Sequence, residues 1–433
     1  MHRDLAQLAS QRYDVLVIGG GIYGVCVAWD AILRGLSVAI VDKGDFGHAT
    51  SSNSLRVIHG GLRYLQHGDL RRMRRSMHER LVFRRIAPHL VYPLPIIIPT
   101  YGHGTRGKGV FALALLAHHV VGLGLNRWAD PHQQLPRGRV LSRAECLQRC
   151  PGLDRRDLTG GVLVHDGQMG NSERLVLAFA CSAAKAAAAV ANYVEVTGLL
   201  RQGDRVIGVT ARDVLSDDAL EIQARVVVNA SGPWVERLLQ HLHGGRPPRR
   251  LALSKAFNLL ISRQLIPEYA VGVYGQGHFT DRDAILRKGS RLLFITPWQG
   301  RSLIGTAHLP YEGDVEAFRV TAEEIHTFLD EINQAYPAAG LTPEDVGYVY
   351  GGLLPANGQG PGEVQLTKRP RLYDHRHEDG LDGVISVVGV KFTEARYVAS
   401  QAGELVCRQL GQRPRPSRTA VTPLDGRTSH GRR

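Results

Sequence analysis

The sequence predicts an α/β protein: a dinucleotide-binding parallel sheet assembled from separated pieces of chain, with an antiparallel-sheet domain inserted between them. Three observations predict it. A glycine-rich turn, Gly19-x-Gly21-x-x-Gly24, follows a short apolar run and opens a helical one. Apolar, β-branched runs at 221–228 and 384–389 also lead into glycine-containing turns, NASGPW and GVKFTEAR. Between these, residues 251–310 carry short alternating runs such as LLFITPW and SLIGTAH, the period-two pattern of antiparallel strands.

Each element has a local reason. Tyr13–Ile18 (YDVLVI) is apolar throughout, as a parallel strand buried on both faces must be. VCVAWDAILRG is a helical run closed by Gly35, and LSVAIVD is the second strand of a βαβ unit. Asp69 can cap a helix from Leu70 to Ala87, which Pro88 stops. Leu70, Met73, Met77 and Leu81 line one side of it, and Arg71, Arg72, Arg75 and Arg85 lie elsewhere. GVFALALLAHHVVGLGL (109–125) holds two His and three Gly, which suits a buried or interfacial helix better than a membrane span. Strands are expected at 193–197 and 205–211. Thr321 and Glu324 form a capping box before EIHTFLDEI. The polar, Pro-rich tail 413–433 reads as disordered. The nucleotide domain is expected at 1–75, 151–240 and 349–412, and the cap, or substrate, domain at 76–150 and 241–348.

The composition excludes little. The formal charge is +13 and the pI about 9.7, with Arg bunched in 56–85. No nucleic-acid motif accompanies this excess, so no nucleic-acid partner is expected. An anionic membrane face, an anionic substrate or a solvated helix face all accommodate it. Five scattered cysteines without a CxxC argue against a disulfide framework or a metal site and favour a reducing cytoplasm.

The nucleotide site is the strongest signal. Gly19 allows a tight turn, Gly21 lets a pyrophosphate approach the backbone, and Gly24 lets the helix pack on the sheet. The helix N-terminus offers N–H groups to phosphate. Asp42, eighteen residues past Gly24 at the end of the next strand, can accept hydrogen bonds from a ribose. This unit does not decide between NAD and FAD. The chain beyond Asp42 does: ATSSNS (49–54) brings the hydroxyls of Thr50, Ser51 and Ser52 within reach of phosphate and ribityl oxygens, and the later turns at Gly232 and Gly389 offer backbone to a long cofactor. FAD suits this better. Trp234, in the first of those turns, reads as packing.

The pieces VIGGGIYG, ATSSNSLRVIHGGLRYLQHGDL, NYVEVTGLL, RVVVNASGPWV, FITPWQGRSLIGTAH and VVGVKFTEAR resemble the FAD-dependent glycerol-3-phosphate dehydrogenases, within the glycine-oxidase/D-amino-acid-oxidase-like flavoproteins. They run in family order over residues 12–400. The resemblance implies an FAD-binding Rossmann-like domain of the GR2 type with an inserted antiparallel-sheet substrate-binding domain. It implies oxidation of a polyol phosphate at C2, with hydride passing to flavin N5 and electrons going on to an acceptor, expected to be a quinone. It places Arg63 and Tyr64 at the substrate, and Lys391 at both flavin and substrate. His59 is the candidate proton acceptor. Three departures stand out: Leu354 where the family has a phosphate-binding Arg, Asn258 for a His, and His308 for an acid. The family's C-terminal helical domain is expected to be missing.

The expected function is therefore an FAD-dependent dehydrogenase acting on an anionic polyol phosphate. It is expected to be cytoplasmic, with peripheral contact at the inner face of the cell membrane. A flavin enzyme for another hydroxy acid or polyol derivative is the first alternative, favoured by Leu354 and Asn258. A non-catalytic, membrane-associated flavin-binding protein is the second.

Overall fold

The computed structural model describes residues 1–102, 104, 107–125, 134–240, 251–275, 292–360, 363–367 and 369–426. Its strands, in chain order, are β1 (Arg12–Ile18), β2 (Val38–Val41), β3 (Val57–Ile58), β4 (Val91–Tyr101), β5 (Arg139–Ser142), β6 (Leu158–Met169), β7 (Ala189–Ala191), β8 (Val194–Gln202) and β9 (Arg205–Asp213). They continue with β10 (Ala219–Asn229), β11 (Ala252–Ile261), β12 (Ala270–Tyr274), β13 (Leu292–Trp298), β14 (Arg301–Tyr311), β15 (Val346–Gly360), β16 (Glu363–Leu366), β17 (Arg371–Asp374) and β18 (Val384–Val388). The helices are α1 (Leu5–Ser10), α2 (Ile22–Leu33), α3 (Leu70–Ile86), α4 (Lys108–Val121), α5 (Arg143–Arg149), α6 (Ser172–Lys185), α7 (Val235–Gln240), α8 (Ala322–Ala335), α9 (His375–Glu378) and α10 (Ala395–Gln409).

Two sheets organise the chain. In the first, β18, β10, β1, β2 and β7 run parallel, and β17, β9 and β8 add antiparallel pairs. Val15 and Val17 of β1 face one apolar core with α2, α6 and α10. Leu16 and Ile18 face another. Burial on both faces is why YDVLVI carries no polar alternation past Asp14. The second sheet runs β16-β15-β11-β14-β13-β12-β4-β6-β3, with β5 beside β6. It is antiparallel except where β12 meets β4. Helix α8 packs on it through Phe328, Leu329 and Ile332, and Thr321 and Glu324 complete the expected capping box.

The structure moves several boundaries. Strand β6, expected in the nucleotide domain, pairs with β4 along eleven register positions of the antiparallel sheet. Strands β15 and β16 belong to that sheet too. Conversely, Val82, Phe83 and Ile86 of α3 join the core of the nucleotide domain. Long non-local pairing decides these memberships, and periodicity carries no information about it.

Residues 413–426 are not disordered. Leu424 is 1% exposed in the nucleotide-domain core, and its amide donates to Ile86 O (2.9 Å). Ser417 Oγ donates to Asp30, and Arg396 Nη1 donates to Thr419 Oγ1 (2.9 Å). One leucine and two hydrogen-bonding side chains, Ser417 and Thr419, anchor a segment whose composition alone reads as solvated. The remainder of the tail, 427–433, lies outside the described residues.

The basic run is only in part a solvated face: Arg71, Arg74 and Arg85 are exposed. Asp69 caps α3 as expected, its Oδ1 accepting from Arg72 N (3.0 Å). Yet Arg72, Arg80 and Arg84 are buried, whereas Leu70 is exposed. Arg72 binds the fully buried Glu394 through two nitrogens, 3.1 and 3.3 Å. Arg396 clamps Glu79, likewise buried. Arg56, 1% exposed, makes a bidentate pair with Glu173 at 2.7 and 2.8 Å. Part of the Arg excess at 56–85 therefore pairs with carboxylates brought by distant segments.

Candidate active site

A cavity of about 1700 Å³ opens between the two sheets. Pockets for single drug-sized ligands run to about 1,000 Å³, so this one has room for a long cofactor and a second small molecule. Its wall takes in Gly19, Gly21, Asp42, Thr50, Ser51, Gly232 and Gly389 of the expected cofactor residues. It also takes in His59, Arg63, Tyr64 and Lys391 of the expected substrate residues. Two expected residues do not line it. Gly24 acts behind the wall: a Cβ there would stand 1.8 Å from Gly19 O, so its absence lets α2 close onto the turn. Ser52 turns its hydroxyl back onto its own loop, donating to His48 O (2.9 Å) and Ala49 O (3.0 Å), because the chain there forms a tight turn.

The nucleotide end is built from local backbone. No side chain caps α2 at Gly21. Ser51 Oγ accepts from Ile22 N (2.9 Å), which fixes the 49–54 loop against the helix N-terminus. Asp42 accepts from the amides of Gly20 (2.6 Å) and Gly44 (2.8 Å). Burial pushes its carboxyl above the usual range against the pull of those amides. Two carboxylate oxygens carry about four acceptor positions, so Asp42 retains capacity for a ribose. Trp234 is not packing: its Nε1 donates to Glu316 Oε1 (2.8 Å), Lys43 Nζ sits 4.1 Å over its ring, and all three line the cavity. The helix N-terminus, the close-approach glycines, the acid and the cavity volume together fit a dinucleotide flavin.

The turn after β18 brings the late glycine and lysine to the cavity. A Cβ on Gly389 would stand 2.1 Å from the ring of Tyr23, and Tyr23 Oη holds the turn by accepting from Val390 N and Lys391 N, each at 3.2 Å. Lys391 Nζ donates to Tyr64 Oη (2.8 Å) and lies 4.5 Å from its ring centroid. Tyr64 and Arg63 belong to a 3-10 turn, Leu62–His67, entered through Gly61 at φ +82°. Arg63 is exposed on the cavity wall.

His59 is anchored from two sides. Its amide donates to Thr393 Oγ1 (3.2 Å), and its Nδ1 lies 3.0 Å from Asp166 Oδ2. Its ring meets that of Phe294 at 5.5 Å. Asp166 Oδ1 accepts from Gly60 N (2.7 Å) and Arg80 Nη1 (2.8 Å). Burial alone would raise this carboxyl, but the His59 hydrogen bond and the Arg80 charge hold it well below the usual carboxylate range. Sequence reasoning missed both Asp166 and Arg80. The only signal for Asp166 was a lone acid in the apolar run VLVHDGQM. Ile96, Ile98, Val164 and Phe294 form an apolar wall to the same cavity.

Of the departures, Leu354 lies on β15 opposite Ser254 and does line the cavity. Asn258 is buried and occupied: its Nδ2 donates to Asn53 O (3.1 Å), and its Oδ1 accepts from Thr306 Oγ1 (2.7 Å). It fastens the 49–54 loop to the antiparallel sheet. His308 also lines the cavity, with Nδ1 3.5 Å from Ser254 Oγ.

A parallel sheet with a glycine-rich turn, joined to an antiparallel sheet across one large cavity, defines a two-domain dinucleotide oxidoreductase. Residues 14–390 match the FAD dependent oxidoreductase family, and the chain belongs to it. It is 33% identical over 430 residues to a glycerol-3-phosphate dehydrogenase of Synechocystis sp., covering 98% of this chain and 75% of that one. It is 31% identical over 396 residues to an alpha-glycerophosphate oxidase of Streptococcus pyogenes, covering 88% of this chain and 62% of the relative. The chain thus spans less than two thirds of that oxidase. Among solved structures, the glycerol-3-phosphate dehydrogenase from Bacillus halodurans complexed with FAD aligns with a TM-score of 0.72 at 25% identity, over 98% of this chain and 70% of that one. Glycine oxidase from Geobacillus kaustophilus shares the fold, at a TM-score of 0.63 and 20% identity. The chain is an FAD-dependent oxidoreductase.

Proposed function

We propose that this oxidoreductase oxidises the C2 hydroxyl of an anionic polyol phosphate of the glycerol 3-phosphate class. The observation that carries the reading is the meeting of His59, Arg63 and Lys391 on one cavity wall, from segments more than three hundred residues apart. FAD, held by the Gly19–Gly24 turn, Asp42, Thr50, Ser51 and the Gly389 turn, would supply a two-electron acceptor for the hydride. His59 accepts the hydroxyl proton, so the alcohol leaves as a ketone having lost one hydride and one proton. Arg63 holds the anionic group. Lys391, oriented by Tyr64, keeps positive charge beside the reacting centre. The apolar wall keeps bulk water from it.

Leu354 favours a second reading, a different hydroxy acid or polyol derivative. A charge-assisted Arg contact to phosphate is worth about 1.5–3 kcal/mol. Single-turnover bleaching of the bound flavin by glycerol 3-phosphate, other polyol phosphates and 2-hydroxy acids separates the readings. Bleaching by none of them would leave a non-catalytic flavoprotein. If the phosphate lies beside β15, Leu354→Arg raises kcat/KM for glycerol 3-phosphate by about 10–100-fold. An unchanged kcat/KM would place the phosphate elsewhere. Arg287 and Lys288, the alternative cations, lie outside the described residues.

We further propose that the protein binds peripherally to the inner, anionic face of the cell membrane and passes electrons to a quinone. The support is α4 more than α3. Leu113, Leu116, Val120 and Leu123 are 56–68% exposed on or just beyond α4. Lys108 is exposed at its start, and Arg74 donates to Leu123 O (3.2 Å) at its end. No helix among the described residues is long and apolar enough to cross a membrane. Each basic residue near an anionic surface contributes about 1 kcal/mol. Sedimentation with anionic vesicles is expected to show binding that falls as salt shortens the Debye length. Full recovery in the supernatant at low salt, with rapid peroxide formation in air, would identify a free oxidase instead.

A further inference from the structure

The motif around His59 contains a glycine whose reason lies elsewhere in the chain. A Cβ on Gly60 would stand 2.2 Å from Arg80 Nη1 and 3.0 Å from Asp166 Oδ1. Gly60 therefore leaves room for an ion pair pressed against the backbone beside the histidine. The facing atoms of that pair are engaged. Arg80 Nη1 bonds both Asp166 Oδ1 (2.8 Å) and His165 O (2.5 Å). The Gly60 amide adds a second donor to the same carboxylate oxygen. Only Oδ2 is left to face His59 Nδ1.

We propose that Asp166, locked by Arg80 and the Gly60 amide, is a positioning residue that fixes His59 in the tautomer with hydrogen on Nδ1 and a lone pair on Nε2 facing the substrate. The proposal rests on the reading of His59 as proton acceptor. An ionised carboxylate only accepts hydrogen bonds, so the imidazole nitrogen it meets must be the one that donates. The same carboxylate stabilises the imidazolium formed when Nε2 takes the hydroxyl proton. The step balances: the O–H proton goes to Nε2, the C–H hydride goes to the flavin, and the carbonyl forms. Asp166 keeps its charge throughout, and the lowered pKa of its buried carboxyl agrees with this.

Other charged and titratable groups share this part of the wall: Arg80 of α3, His118 of α4, Lys391 of the late turn, and Arg63 and Tyr64 of the segment after His59. His118 is pushed down to about 4 by burial and the Arg80 charge, so it is neutral near neutral pH. Arg80, Arg63 and Lys391 are cations that disfavour an imidazolium. Asp166 is the carboxylate in hydrogen-bond contact with His59 that opposes them.

The test is Asp166→Asn, read in three ways. In the flavin-loaded protein, nitrogen NMR of the His59 imidazole is expected to show hydrogen on Nδ1 in the natural sequence and a loss of that preference in the variant. The rate of flavin reduction by saturating glycerol 3-phosphate is expected to fall by about 10²–10⁴-fold. The acid limb of its pH profile is expected to move to lower pH, because the imidazolium loses its stabilising carboxylate. Should Asp166→Asn fail to fold, Gly60→Ala, whose methyl would stand 2.2 Å from Arg80 Nη1 and 3.0 Å from Asp166 Oδ1, disturbs the lock on the same carboxylate and is expected to give the same NMR signature and rate loss. His59→Asn separates the two readings. If it leaves the reduction rate intact, the proton-acceptor reading falls. If it abolishes reduction while Asp166→Asn, or Gly60→Ala in its place, changes only the melting temperature, the positioning role is overturned and His59 stands.

Discussion

Gly24→Ala is expected to yield protein that purifies with little or no flavin. The added methyl would stand 1.8 Å from Gly19 O, a distance no side-chain adjustment relieves because both partners are fixed by backbone. Helix α2 must lift from β1, and its N-terminus then no longer faces the turn that Gly19 and Gly21 form. Overpacking of this kind costs about 1–3 kcal/mol, before loss of the cofactor is counted. Gly21→Ala is the informative contrast, since its methyl meets only Ser51 Oγ, at 3.2 Å. It should fold with the stability of the natural apoprotein but bind FAD more weakly. Flavin absorbance relative to protein absorbance, with the melting temperature of each apoprotein, reads both effects. A fully yellow Gly24→Ala protein would mean that the turn yields where close packing says it cannot.

His59→Asn is expected to keep its FAD and lose about 10²–10⁴-fold in the rate of flavin reduction, the usual contribution of a positioned general base. Asparagine preserves a hydrogen-bonding group near Asp166 but cannot take a proton. Retention of flavin is expected because His59 is held by Thr393, Asp166 and Phe294, none of them at the nucleotide end. A variant reduced at the natural rate would remove His59 from the chemistry and leave Lys391 and Tyr64 as the groups to test.

Arg63 and Asp166 mark two different depths of legibility. Arg63 stands out as a candidate because its whole local frame, the glycine pair and the apolar neighbours, lies within a few residues of it, and the resemblance carried by that motif supplies the role proposed for it. Asp166 is 107 residues from His59 in the chain, and nothing within its own strand signals a partner. Arg80 was visible as one more basic residue on a helix. Its burial, and so its service to a carboxylate, depends on where β6 passes.

The sequence by itself determined what neighbouring residues settle among themselves. The Gly19–Gly24 turn, the acid ending β2, the Asp69 cap of α3 and the Thr321–Glu324 capping box all arise from contacts within a turn or one βαβ unit, where spacing dictates geometry. Only the tertiary structure decided which sheet received β6 and β15, which way Ser52 turned, that Arg56, Arg72 and Arg80 went inward, and that residues 413–426 packed against α2, α6 and α10. Each of these is a pairing between distant segments. A buried charge is tolerable only where its counter-charge also arrives, and chain spacing does not record which distant segment brings it.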